Sequence, residues 1–225
     1  MEDSIRVMAE RGKKKRVVAC AFDWPGWDRS AKTEEDALRA LVAYRPRYAK
    51  VAALAGLADE FGAAGEPTVV ERLEGNGMTD WYGVSGMSAE PDKEQMSAAA
   101  CERKIAMLRA TWTTFDDVAS RVSAELQMGP RGGGRDRDEI VRHTNGAEIY
   151  EHATKVGVRT PLEARGDPVA LAAHREAFCA GIREFNARGP MAGKWWTVQF
   201  LIRRCAWHML DHAWEMEDRD LSGGS

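Results

Sequence analysis

The chain has 225 residues, of which 30% are charged, and its net charge is −3 at pH 7. This length allows one domain or two small ones, and the nearly balanced charge gives no reason to expect nucleic acid or an acidic membrane as a partner. No segment has the roughly 20 consecutive apolar residues that cross a bilayer. The acidic start, Met1-Glu2-Asp3-Ser4, lacks the apolar core of a signal peptide, so we expect a cytoplasmic protein.

The first ninety residues predict a small α+β unit. A strand at 17–22 runs into the turn Asp23-Trp24-Pro25-Gly26-Trp27, and a brief second strand comes next. Thr33-Glu34-Glu35-Asp36 is typical of a helix start. The later expected elements are, in order, a break or bend at Pro46, a helical stretch at 47–61, and strands at 68–74 and 80–84 around the turn Gly75-Asn76-Gly77.

Neither the one basic run nor the four cysteines predict a functional site. The basic run Lys13-Lys14-Lys15-Arg16 precedes a strand. It indicates a solvent-exposed start of that strand, or a sheet edge protected by lysines, rather than a nucleic-acid-binding patch. The four cysteines are scattered without a CxxC pair, and we expect buried, reduced thiols at Cys20, Cys101, Cys179 and Cys205.

Beyond residue 90 the pattern becomes helical. Four long stretches are predicted at 92–127, 135–155, 168–188 and 195–220. They are separated by breaks rich in Gly and Pro, of which Gly132-Gly133-Gly134 is interpreted as a flexible connection; the tail 221–225 is expected to be disordered. The sequence therefore predicts an α+β fold, with an α+β unit at 1–90 followed by a four-helix bundle at 91–225.

Three histidines form the clearest candidate site. His208 and His212 are four residues apart on the fourth helical stretch, so their imidazoles lie on one face and can hold one metal ion. His143 shares a face of the second stretch with Ile140, Ala147 and Tyr150, which should point into the bundle. The apolar face of the fourth stretch runs through Val198, Leu201, Cys205 and Met209, with charges at Arg203, Arg204, Asp211 and Arg219.

Other residues near these histidines have more than one interpretation. His152 falls away from the face of His143, and we expect both His152 and His174 to be surface or partly buried residues. Candidates to accept the second ring N–H of a ligating histidine are Glu148, Asp211 and Glu215. Exposed surface charge is the alternative for all three and is favoured for Asp211. Cys205, three residues before His208, is either a buried thiol or a fourth ligand that would close the site.

The helical region resembles the DinB superfamily of metal-binding four-helix bundles, which includes the thiol S-transferases that use bacillithiol and mycothiol. The residues that carry the resemblance are Ile140-Val141-Arg142-His143-Thr144-Asn145-Gly146-Ala147-Glu148 and Arg203 through Glu215. The resemblance covers about residues 92–220 and implies that His143, His208 and His212 bind a divalent metal. Members of this superfamily have diverse activities.

The N-terminal unit is similar to the HicB-type antitoxin fold. The similarity is carried by Cys20-Ala21-Phe22-Asp23-Trp24-Pro25-Gly26-Trp27 and by Lys32-Thr33-Glu34-Glu35-Asp36-Ala37-Leu38. No ribbon-helix-helix or helix-turn-helix segment comes after them, and two tryptophans occupy the turn. We therefore expect an accessory domain that packs on the bundle and forms a wall of its pocket, rather than a DNA-binding module.

These features lead to two function hypotheses. Three neutral imidazoles leave a bound metal its full charge, which acidifies a water or thiol at an open position. The first hypothesis is an enzyme that transfers a low-molecular-weight thiol to, or hydrolyses, a small electrophile; the second is a non-catalytic metal- or ligand-binding protein with a regulatory or stress-associated role. Zinc is the favoured metal, with nickel, iron and manganese as alternatives, and both a monomer and a homodimer remain open.

Overall fold

The computed structural model describes residues 4–14, 16–129 and 134–222. It has the predicted α+β fold, with a small N-terminal sheet and a helical C-terminal part. The predicted flexible connection at Gly132 and Gly133 and the last three residues of the predicted disordered tail lie outside the described residues. Within the described ranges, none of the helices is both long and apolar enough to cross a membrane.

The sheet has a central strand that the sequence did not predict. In chain order its strands are β1 (Ile5–Arg11), β2 (Val17–Ala21), β3 (Asp28–Ala31) and β4 (Pro67–Glu74), in the spatial order β3-β2-β1-β4. β1 runs antiparallel to β2 and parallel to β4. Met8, Ala9 and Glu10 are not strong strand formers, and it is their burial between two neighbouring strands that makes this segment a strand.

Four short helices accompany the sheet: α1 (Glu34–Ala43), α2 (Arg45–Leu54), α3 (Ala58–Ala63) and α4 (Gly77–Tyr82). The Thr33 hydroxyl begins α1 by accepting the backbone N–H of Asp36 at 3.1 Å. The predicted break at Pro46 is confirmed: α1 ends at Ala43 and a new helix begins at Arg45. Pro46 lies in the first turn of α2, where no N–H is needed.

The predicted strand at 80–84 is wrong, since α4 occupies this region. The Asn76 side chain accepts the N–H of Met78 at 2.8 Å, and the Thr79 hydroxyl accepts the N–H of Asn76 at 3.1 Å. This reciprocal capping satisfies the first donors of a helix and directs the chain after Gly75 into α4 instead of a hairpin.

Four long helices form the C-terminal part: α5 (Ala98–Arg121), α6 (Arg137–Ala147), α7 (Pro168–Arg188) and α8 (Val198–Asp218). A two-strand hairpin, β5 (Met191–Ala192) and β6 (Trp196–Thr197), precedes α8. The four helices enclose one apolar core, to which α8 contributes the predicted face of Val198, Leu201, Cys205 and Met209. After α6 the chain continues through a π-helical turn at Glu148–His152 and a 3-10 turn at Ala153–Val156.

Helix α8 is buried on two sides. Opposite the bundle core, Leu210 and Trp214 join a second core formed with the sheet and its helices. Arg203, one of the charged residues of this helix, is also buried, with 1% of the residue exposed, and its guanidinium donates to Asp92 at 2.5 Å. The sequence alone does not distinguish a buried arginine that has a carboxylate partner from a solvent-exposed one.

Candidate metal centre

Three histidines converge between α6 and α8. A ring nitrogen of each of His143, His208 and His212 lies within 4.8 Å of the other two. The Nε2 atoms of His143 and His208 are 3.3 Å apart. Two imidazole nitrogens bound to one tetrahedral zinc ion at 2.0–2.1 Å would be about 3.3 Å apart, so this spacing fits a shared divalent metal. The three histidines are close enough to hold a metal ion.

The surroundings of His143 and His208 favour the neutral form of these two imidazoles. Burial lowers the pKa of His143, and the nearby His212 ring lowers it further. Burial also places the pKa of His208 well below its usual range, and the charges of His212 and His152 act in the same direction. A neutral imidazole has a lone pair available for a metal.

His212 has a partner for its second ring nitrogen. Its Nδ1 atom lies 2.8 Å from Glu215 Oε2, while the other carboxylate oxygen of Glu215 accepts a hydrogen bond from Arg219 at 2.8 Å. Hydrogen bonding to His212 is also the main cause that lowers the pKa of the Glu215 carboxyl. Glu215 lies one turn beyond His212 and contacts its Nδ1, which is the position from which a carboxylate can fix the orientation of a metal-binding imidazole.

The other two anticipated carboxylates lie differently. Asp211 faces the same cleft as the histidines and pairs with Arg29 at 3.4 Å. Glu148 is fully buried and does not line this cleft; it accepts a hydrogen bond from Arg175 Nε at 3.4 Å and lies 3.7 Å from His174. His174 is itself buried, with 2% exposed, so the expectation of a surface or partly buried residue is wrong for it.

Cys205, the possible fourth ligand, does not lie with the three histidines. All four cysteines are buried, as expected, and Cys205 packs in the core of the long helices. Burial raises the pKa of its thiol well above the usual value. Among the described residues, no cysteine or carboxylate joins the group of three histidines.

The histidines line a cleft of about 440 Å³ that opens to solvent. Its wall combines apolar, aromatic and charged side chains: Met78, Tyr82, Arg135, Ala147, Tyr150, Glu151, His152, Arg204, Trp207 and Asp211. Met78 and Tyr82 belong to α4, so the N-terminal unit forms part of the wall.

His152 does not lie where the sequence predicted it, because that prediction treated the helix around His143 as regular. Nine residues of α-helix rotate by about 900°, which would put His152 opposite His143. The π-helical turn at Glu148–His152 accommodates one extra residue and rotates the residues beyond it back by about 100°. His152 is therefore buried in the cleft wall, with its ring centroid 5.8 Å from that of His208, whereas the expected inward residue Tyr150 is 59% exposed.

Arg204, for which the sequence predicted no role, lines the cleft one turn before His208. Its Nη1 atom is buried without a hydrogen-bond partner among the described residues. Arg204, His208 and His212 follow one another at intervals of four residues, and this spacing is the signal in the sequence that could have identified Arg204.

Comparisons with models of protein families, with curated proteins and with solved structures found no match to this chain. The resemblances to the DinB and HicB families therefore rest on the sequence motifs that carry them.

Proposed function

We infer that this chain is a metal-dependent enzyme of the DinB type. In this proposal His143, His208 and His212 hold a divalent metal, with zinc favoured, and the site activates a low-molecular-weight thiol or water for attack on a small electrophile. The order of the histidines, with one on the second long helix and two on the fourth, supports the membership of residues 91–225 in that superfamily.

The observation that carries the proposal is the convergence of three protein donors beside an open cleft, with no fourth donor among the described residues. Catalytic zinc sites have three protein ligands and keep one position open, whereas structural sites are closed by four. A metal in this position would lower the pKa of a water or thiol bound to it towards neutrality.

The protein's own residues supply orientation and shielding. Glu215 fixes the ring of His212 by binding Nδ1, which leaves Nε2 as the nitrogen available to a metal. Aromatic side chains at the cleft wall, among them Trp207, provide apolar surface for a small substrate. The deeply buried thiols of the chain make poor nucleophiles, which favours an external thiol.

Cobalt substitution tests the open position without knowledge of the substrate. The full-length protein loaded with Co²⁺ should develop a thiolate charge-transfer band only when an external thiol such as L-cysteine is added, and the Cys205→Ser variant should behave in the same way. A thiolate band that is present without added thiol and lost in Cys205→Ser would mean a closed structural site and would contradict the proposal.

Activity is then measured on the zinc-loaded protein, with monochlorobimane as the electrophile for thiol transfer and 4-nitrophenyl acetate for hydrolysis. We expect a rate that depends on zinc, disappears in His208→Ala and persists in Cys205→Ser. Equal rates in the wild type and His208→Ala for both reactions would count against activation at this site.

A further inference from the structure

The cleft beside the histidines contains an incompletely paired cation. Arg204 lies in its wall, and its Nη1 atom has neither solvent contact nor a hydrogen-bond partner among the described residues. Burial lowers the pKa of its guanidinium, although Glu151 acts against this shift. Burying a charge without a partner is costly, and the cost is recovered when a ligand of opposite charge binds.

Arg203, the residue before Arg204 in the same helix, has a carboxylate partner. Arg203 is also buried, and it donates to the Asp92 carboxylate at 2.5 Å. Arg204 instead packs its guanidinium 4.7 Å from the centroid of the Trp207 ring, which holds the side chain against the wall but gives it no acceptor.

The position of Arg204 relates it to the metal centre. It precedes His208 by four residues on α8, which corresponds to about 6 Å along the helix and the same face. A molecule whose acidic group binds Arg204 would therefore have its next few atoms beside the three histidines.

We propose that the substrate of this site is a monocarboxylic acid with an apolar body, whose carboxylate is bound by the Arg204 guanidinium. This inference rests on the proposed function for the reaction, but the binding step itself needs only Arg204 and the cleft. A planar guanidinium binds a carboxylate through two parallel hydrogen bonds. Because Nη1 has no solvent contact, the ligand would bind the edge formed by Nε and Nη2, neither of which is a buried atom without a partner.

The charges of the cleft favour a ligand with one negative charge over a ligand with two. Its wall has two arginines, Arg135 and Arg204, and two carboxylates, of which Asp211 is already paired with Arg29 at 3.4 Å. Glu151 remains to offset part of the arginine charge, so the wall has an excess of about one positive charge before a metal is added. Apolar surface from Met78 and Trp207 suits the rest of the molecule.

Calorimetric titration of the full-length protein tests the proposal with three probes of similar shape: benzoate, neutral benzamide and phenyl phosphate. Benzoate should bind the chelator-treated wild type, which holds no metal, more tightly than either of the others. Equal binding of benzoate and benzamide would overturn the proposal, and so would tighter binding of phenyl phosphate.

Variants locate the site of binding. Arg204→Met should weaken benzoate binding by roughly 10- to 100-fold, the loss expected for hydrogen bonds to a charged group, and Arg204→Lys should weaken it less. Arg109→Met is the matched control, because Arg109 lines a different cleft and pairs with Glu176. It should bind benzoate like the wild type.

The metal-free titration separates this inference from the proposed function. Benzoate binding that depends on Arg204 in a protein that takes up no metal would support the anion site and refute the metal-dependent reaction. Benzoate binding that requires zinc and is unchanged in Arg204→Met would mean that the metal alone holds the anion, and it would overturn the inference.

Discussion

Glu215 links the candidate metal site to the C-terminal end of α8. It contacts His212 Nδ1 at 2.8 Å and accepts a hydrogen bond from Arg219, so the imidazole is held by a carboxylate that is itself held. Such partners fix the ring orientation and raise the basicity of the nitrogen that faces the metal.

Replacing Glu215 by alanine should weaken metal binding by about 10- to 100-fold, since removal of such a partner typically has this effect. Affinity is measured by competition with a chromophoric chelator. Asp211→Asn is the control, because Asp211 lies in the same helix and cleft but pairs with Arg29. Equal affinities for the two variants would show that Glu215 does not act through His212.

At the residue scale, the sequence predicted the three histidines from the spacing of His208 and His212 and from the face that carries His143. Arg204 escaped prediction because charge in a helical sequence does not reveal burial. The sequence offers Glu148 as a possible partner of a ligating histidine, but its carboxylate contacts Arg175, because the direction in which an inward side chain points depends on packing.

At the scale of elements, the π-helical turn after α6 is the feature that the sequence could least reveal. Hydrophobic periodicity assumes 3.6 residues per turn, and a single widened turn changes the face of every later residue. His152 enters the cleft wall for this reason. The four long helices were predictable because each combines an apolar stripe with clear breaks, whereas β1 and α4 depend on tertiary burial and on the Asn76 cap.

The turn at Glu148–His152 also brings together two titratable groups, Glu148 and the neighbouring His174, with opposite effects on stability. Burial raises the pKa of Glu148 to about 7, so its stabilising contribution is complete below about pH 4.3, the unfolded value, and is lost as the pH rises through 7. Burial lowers the pKa of His174 to about 4, so its contribution is present above about pH 6.5 and is lost as the pH falls towards 4.

Removing the Glu148 carboxyl should reveal the loss of stability that His174 causes as the pH falls. The Glu148→Gln variant is expected to lose about 2 kcal/mol more unfolding free energy than the wild type between pH 7 and pH 5, because it lacks the stabilisation that Glu148 gains on protonation. Urea denaturation with chelator present, at both pH values, measures this difference. If the unfolding free energies of Glu148→Gln and the wild type changed equally between pH 7 and pH 5, the raised pKa of Glu148 would be contradicted.

At the scale of the whole molecule, α8 connects the two parts of the chain. Its one side completes the bundle core and its other side packs Leu210 and Trp214 into the core of the sheet unit. The turn at Gly26 approaches this helix so closely that an added Cβ would lie 2.9 Å from the Ala206 carbonyl carbon, and its φ of +90° also favours glycine. The Pro-Gly turn therefore docks the N-terminal unit two residues before His208.

A truncated chain that begins at Pro91 should stay helical but become less soluble, because the apolar surface of Met107, Leu210 and Trp214 would be exposed. Circular dichroism and light scattering, compared with the full chain, test this expectation. A truncated protein as soluble and as monodisperse as the full chain would contradict it. That duplex DNA is not a partner stays a prediction from the balanced charge.

The metal content of single histidine variants tests the central claim most directly. Elemental analysis of the purified full-length protein should show about one divalent metal per chain in the wild type and in His152→Ala and His174→Ala, and a sharp loss in His143→Ala, His208→Ala and His212→Ala. Circular dichroism of each variant confirms that it is folded. Full metal occupancy in folded His208→Ala would contradict the site formed by α6 and α8.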